Sequence, residues 1–164
     1  MRFKQIVIIG SSDDIEFTNE SYRIGKFIAE NGWILITGGR GGIMEAVSRG
    51  ASDAKGIVIG ILPGSEFNQA NSYCNIVIPT GIGFARNMIN VLSADIVIAI
   101  GGKSGTLSEL AYAWLYAKPV ICCTFADGWS SQFPKVEGDD RIGSTLYIAS
   151  TVEEVFKHLT NFFI

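Results

Sequence analysis

Seven short apolar runs recur along the chain, at 5–10, 33–37, 56–61, 75–79, 94–100, 119–123 and, more weakly, 145–149. Within each run the apolar residues are contiguous rather than alternating, the pattern of a parallel strand covered on both faces. Between the runs the apolar positions recur at three- and four-residue intervals. Ile43, Ala46, Val47, Gly50, Ala51 and Ala54 fall on one helical stripe; Leu107, Leu110, Ala111, Trp114 and Leu115 form a second, and Val152, Val155, Phe156 and Leu159 a third. Residues 17–31 and 84–93 carry fainter helical patterns. This alternation predicts a Rossmann-like α/β fold, a doubly wound and mainly parallel sheet of about seven strands with helices on both faces. The whole of 1–164 reads as a single domain. Ligands of such sheets sit beyond the carboxyl ends of the strands, which brings loops 10–14, 38–42, 79–86 and 101–106 to one rim. The irregular stretch 124–144 reads as a surface loop, a lid or a partner surface.

Composition narrows the function classes. With 48% hydrophobic and 18% charged residues in 164, the chain can bury a sizeable core. Thirteen basic residues against sixteen acidic give a net charge of −3, which disfavours a nucleic-acid partner. Three cysteines, two of them adjacent (Cys122, Cys123), make neither a disulfide framework nor a zinc spacing. No metal site is expected. The run Ile6–Ile9 is too short for a signal peptide and no stretch is long enough to span a bilayer. The expectation is a cytoplasmic protein without membrane contact.

The chemistry concentrates at 94–110, Ala-Asp-Ile-Val-Ile-Ala-Ile-Gly-Gly-Lys-Ser-Gly-Thr-Leu-Ser-Glu-Leu. An apolar run ends on a glycine turn and a helical pattern starts at once. Unpaired N–H groups and the positive end of a helix dipole meet at such a junction, so it can cradle a phosphate. Familiar nucleotide motifs do not fit: Val97 stands where a P-loop ending in Gly102-Lys103-Ser104 needs its first glycine, and Gly39-Arg-Gly41 continues to Met44 instead of a third glycine. The single histidine, His158, reads as a surface residue and supports no Ser-His-Asp arrangement.

What remains is a rim of glycines and polar side chains. Gly38, Gly39, Gly41 and Gly42 close the second strand, Gly101, Gly102, Lys103, Ser104, Gly105 and Thr106 close the fifth, and Gly10 and Ser11 close the first. The glycines either make tight turns or let a ligand approach the backbone. Thr106 and Glu109 have the spacing of a capping box; alternatively Thr106 donates to a phosphate and Glu109 faces a sugar or base. Arg86, at the start of a helix in an apolar setting, either faces an anion or lays its stem over the core. Lys103 and Arg40 either add charge near the phosphate or point to solvent. Trp114, Tyr112 and Tyr116 are either core or a contact surface.

Three stretches carry a family resemblance: 38–51, 81–92 and 101–109. Together they resemble, over roughly 5–123, the Rossmann-fold superfamily once labelled "lysine decarboxylase-like". That group includes the Lonely Guy nucleotide phosphoribohydrolases, the molybdenum cofactor carrier proteins and, more distantly, the DNA-processing protein A family. No pyridoxal-phosphate lysine is recognisable, so lysine decarboxylation is not implied. The Lonely Guy motif Pro-Gly-Gly-x-Gly-Thr-x-x-Glu would carry catalytic roles onto Arg86 and Glu109, with Thr106 as its threonine. Here Gly101 replaces the proline, Lys103 the second glycine, and Asn87 a lysine after the arginine. The carrier branch accepts the two-residue gap between Gly-Gly and Gly-Thr found here, and is the nearer resemblance.

The resemblance implies binding of a phosphorylated, nucleotide-like small molecule, either a nucleoside monophosphate or the pterin phosphate of molybdenum cofactor, with no further cofactor required. The alternative is hydrolysis of the N-glycosidic bond of a nucleoside 5′-monophosphate, with Glu109 at the sugar, Arg86 orienting the substrate and Glu45 or Asp13 as the acid. A DNA-associated module is a third reading, opposed by the charge. Self-association as a dimer or tetramer is also implied.

Overall fold

A computed structural model describes residues 1–136 and 145–164. The seven apolar runs form strands β1 (Gln5–Gly10), β2 (Ile34–Thr37), β3 (Val58–Leu62), β4 (Ile76–Pro79), β5 (Ile96–Ile100), β6 (Val120–Cys123) and β7 (Leu146–Ala149). They make one sheet in the order β4-β3-β2-β1-β5-β6-β7, and each neighbouring pair is parallel. Among the described residues six α-helices accompany them: α1 (Thr18–Glu30), α2 (Ile43–Asp53), α3 (Arg86–Leu92), α4 (Ser104–Leu115), α5 (Trp129–Gln132) and α6 (Val152–Phe163). The architecture is the doubly wound, Rossmann-like α/β sheet that the alternation predicts.

The pleat of β1 divides the core in two. Ile6 and Ile8 point into a cluster built with Ile24 and Ile28 of α1, Val47 of α2 and Val155 of α6. Val7 and Ile9 point the other way, to Val91 of α3 and Leu110 and Ala113 of α4. Each fully buried side chain of this kind contributes ~1.5–3 kcal/mol, so the strand that ends at the cleft is also among the best anchored. No helix among the described residues is long and apolar enough to cross a membrane.

Two local readings of the sequence change. First, α4 begins at Ser104, so Thr106 is its third residue and Glu109 lies in its second turn. A capping box would need Thr106 outside the helix at the N-cap; that position belongs to Lys103, and no side chain caps this end. The cap with this chemistry lies at α6, where Thr151 Oγ1 accepts from Glu154 N at 3.2 Å and Glu154 Oε2 accepts from Ser150 N at 2.6 Å. Second, the stretch 124–144 is not wholly irregular: α5 and a 3-10 turn at Phe133–Lys135 occupy its first part. There Phe133 is buried and meets Trp114 edge to face, ring centroids 6.0 Å apart. Residues 137–144 lie outside the described residues.

Candidate functional site

From β1 the strand order runs outward through β2, β3 and β4, then resumes with β5 on the opposite side of β1. The loops leaving β1 and β5 therefore diverge and leave a crevice at the carboxyl edge. A cleft of about 340 Å³ opens there. Its lining takes Ile8, Ile9, Gly10, Ser11, Ser12 and Asp13 from the end of β1, Gly38 and Met44 after β2, Phe84, Arg86 and Asn87 around the start of α3, and Lys103, Ser104, Gly105, Thr106 and Glu109 from α4 and the turn before it.

The start of α4 supplies free donors to this cleft. Its first backbone hydrogen bond runs from Leu107 N to Lys103 O at 3.0 Å. Among the described residues the amides of Ser104, Gly105 and Thr106 have no acceptor, as expected of an uncapped helix N-terminus. Lys103 is exposed beside them. The turn that aims the helix is held from behind by α5: Gly101 N donates to the buried Ser130 Oγ at 2.8 Å, while Ser130 N and Trp129 N donate to Gly101 O and Gly102 O at 3.0 and 3.1 Å. The Gly101 amide is therefore already engaged. Gly102, at φ 97°, admits no side chain, because a Cβ there would lie 2.2 Å from Thr106 Oγ1.

Arg86 is anchored rather than extended. Its Nη1 donates to Gly38 O at 2.7 Å and Ile61 O at 2.6 Å, tying α3 to the ends of β2 and β3. Gly38 is small because the guanidinium needs the space, a Cβ there falling 2.4 Å from Arg86 Nη1. Burial lowers the guanidinium's pKa from its ordinary value, and the nearby Glu109 carboxyl opposes that shift.

Glu109 is 7% exposed and reaches the cleft floor. It accepts a hydrogen bond from Asn90 Nδ2 at 3.1 Å. Burial pushes its carboxyl up to about 7, against the opposing effects of the Asn90 hydrogen bond and the Arg86 charge. One turn earlier on α3, Asn87 Nδ2 donates to Ser108 Oγ at 2.9 Å, so two asparagines fasten α3 to α4.

Ten of the sequence-predicted residues thus meet in one cleft: Gly10, Ser11, Asp13, Gly38, Arg86, Lys103, Ser104, Gly105, Thr106 and Glu109. Gly39, Gly41, Gly42, Gly101 and Gly102 do not line it; they shape the loops behind it. Gly42, at φ 59°, fits against the β1 loop, where a Cβ would lie 2.4 Å from Ser11 O. Glu45 lines a separate cleft of about 230 Å³ with Asp14, Arg49 and Tyr73, which removes it as the acid of the first. Arg40 is exposed and outside the lining, and His158 packs beside Tyr147 with Nε2 2.8 Å from Ile148 O. Sequence reasoning missed Ser12, Met44, Phe84, Asn87 and Asn90. The two asparagines, three apart among the apolar residues that follow Arg86 in α3, were the available signal. Among the described residues no group of three or more His, Cys, Asp or Glu could hold a metal ion.

Residues 3–156 match the model of the SLOG cluster4 family. The chain belongs to that family. An uncharacterised protein of Archaeoglobus fulgidus is 44% identical over 121 residues, covering 73% of this chain and 80% of its own. The molybdenum cofactor binding protein of Rippkaea orientalis has a similar structure, with TM-score 0.89 and 38% identity, over 100% of this chain and 99% of that one. The molybdenum cofactor carrier protein of Chlamydomonas reinhardtii gives TM-score 0.84 and 32% identity, over 98% of each chain. DNA processing protein A of Helicobacter pylori, at 18% identity and TM-score 0.69, shares the fold.

Proposed function

We propose that this SLOG cluster4 protein binds a phosphate ester of a nucleotide-like heterocycle in the β1/β5 cleft, with the pterin phosphate of molybdenum cofactor as its cargo. The reading rests above all on the three acceptor-free amides of Ser104, Gly105 and Thr106, which open into the cleft at the positive end of α4. Lys103 adds a cation at the mouth, Thr106 a hydroxyl, and Ser11 and Ser12 face them from β1. A volume of about 340 Å³ falls in the range of small-ligand pockets. Two relatives similar over nearly their whole length are named for binding or carrying molybdenum cofactor, which favours the pterin over a nucleoside monophosphate. The net charge of −3 weighs against the DNA role of the fold-level relative.

Glu109 favours a second reading, N-glycosidic hydrolysis of a nucleoside 5′-monophosphate with Arg86 and Glu109 as the catalytic pair. A carboxyl held at about 7 can deliver a proton to a departing base at neutral pH. It is correspondingly poor at stabilising a sugar cation, and Arg86 spends Nη1 on backbone carbonyls. One experiment separates the two. The purified protein is assayed for co-purified pterin, then titrated calorimetrically with nucleoside 5′-monophosphates while free base is monitored. Bound pterin without base release is the expected result. Turnover abolished by Glu109→Ala establishes the hydrolase, and indifference to every phosphate ester tried rejects both.

A further inference from the structure

Asn90 is 1% exposed and its amide is only half used. Nδ2 donates to Glu109 Oε1 at 3.1 Å, while Oδ1 is buried without a hydrogen-bond partner. Turning the amide over does not mend this: Oδ1 would then face a carboxylate oxygen with no proton between them, and Nδ2 would be left over. A buried acceptor left without a donor is costly, and native structures avoid it. The missing donor is one that a proton on Glu109 would supply. A neutral carboxylic acid and a primary amide are complementary at two points, the amide N–H to one carboxyl oxygen and the carboxyl O–H to the amide oxygen.

The charges around Glu109 do not force it to ionise. From α3 comes Arg86, which forms no ion pair with Glu109 and whose Nη1 is held by Gly38 O and Ile61 O. Arg40, on the loop after β2, acts on Arg86. Lys103 lies on the turn into α4, and Asp13 lines the cleft from the β1 loop. Burial outweighs the Asn90 hydrogen bond and the Arg86 charge, which is why the carboxyl stands at about 7.

We propose that Asn90 is a positioning residue that pairs with Glu109 in its neutral acid form through a two-point acid–amide contact, so that Glu109 does not oppose a doubly charged phosphate ester in the cleft. This deepens the phosphate-binding reading and rests on it for the ligand. The pair itself is testable without one. In ligand-free protein the Glu109 side-chain carboxyl carbon, followed by NMR, titrates with a midpoint near 7, and the Asn90 side-chain amide nitrogen shifts with the same midpoint. Asn90→Ala removes both halves of the pair, the N–H bond that favours the ionised carboxylate and the acceptor that only the neutral acid can use, and it admits water to the carboxyl. With burial relieved, the midpoint moves down towards the ordinary glutamate value.

A Glu109 midpoint near that ordinary value in the wild type, an Asn90 amide indifferent to pH, or an unchanged midpoint in Asn90→Ala overturns the pair. For the coupling to ligand, sulfate serves as a probe that stays a dianion from pH 6 to 8. Its affinity falls roughly tenfold across that range in the wild type and stays level at the pH 6 value in Glu109→Gln. A level wild-type profile overturns the coupling. Failure of sulfate and of phosphate esters to bind at any pH rejects the phosphate reading instead, and the ligand-free titration still decides the pair.

Discussion

Replacing Ser130 with alanine tests whether α5 braces the turn that aims α4 at the cleft. The hydroxyl is fully buried, accepts from Gly101 N at 2.8 Å and donates to Cys123 O at 2.7 Å. Alanine removes it almost without changing volume, so the loss is one of hydrogen bonding rather than packing. Gly101 N is left without an acceptor, and Cys123 O keeps only Ala126 N, at 3.4 Å. An unsatisfied buried group costs ~1–3 kcal/mol, so one full orphan and one partial orphan give about 2–4 kcal/mol. For a chain of this size that lowers the melting temperature by roughly 5–15 °C. Urea unfolding is the assay, where a pure stability change moves the midpoint and leaves the slope alone. Ser131→Ala is the control, since its hydroxyl only donates to Gly128 O within the same turn, at 2.9 Å. A Ser130→Ala midpoint no lower than that of Ser131→Ala refutes the bracing argument.

Other perturbations separate stability from binding. Glu109 keeps its proton in the folded state up to about 7, while the unfolded chain releases it near 4.5; the fold therefore loses stability as pH rises from about 4.5 through 7, by about 3 kcal/mol. Glu109→Gln removes this component, so unfolding midpoints at pH 5 and pH 8 converge in the variant. Arg86→Met leaves Gly38 O and Ile61 O without their buried donor and destabilises by about 2–5 kcal/mol in denaturant melts. Gly102→Ala forces a side chain onto Thr106 at φ 97°, lowering both the melting temperature and phosphate affinity; an unaltered calorimetric profile contradicts that placement. Lys103→Ala weakens sulfate binding and flattens its salt dependence while the melting temperature holds.

The sheet was legible because buried parallel strands leave contiguous apolar runs, and each of the seven lies within about two residues of its strand. The rim was legible for the same reason: once the strands are located, their carboxyl ends are too. The glycines were harder to sort. Gly38 and Gly102 are small because Arg86 and Thr106 occupy the space beside them, and a sequence cannot say which neighbour crowds a glycine. Thr106-x-x-Glu109 and Thr151-x-x-Glu154 have identical spacing, yet the second is a helix cap and the first lines a cleft. The difference is where each helix begins, set for α4 by the clamp from α5. Glu109 and Asn90 meet across two helices nineteen positions apart, a contact that exists only after α3 and α4 pack.

The reversal of strand order at β1 bears on how a load is kept. Segments preceding and following the crossover into β5 both reach the same crevice, so a guest there is gripped by early and late portions of the polypeptide at once. Retention and structural integrity become a single event. On the proposed reading, a guest at a hundred times its dissociation constant would add about 2.7 kcal/mol to the fold, and a copy that begins to open would let it go.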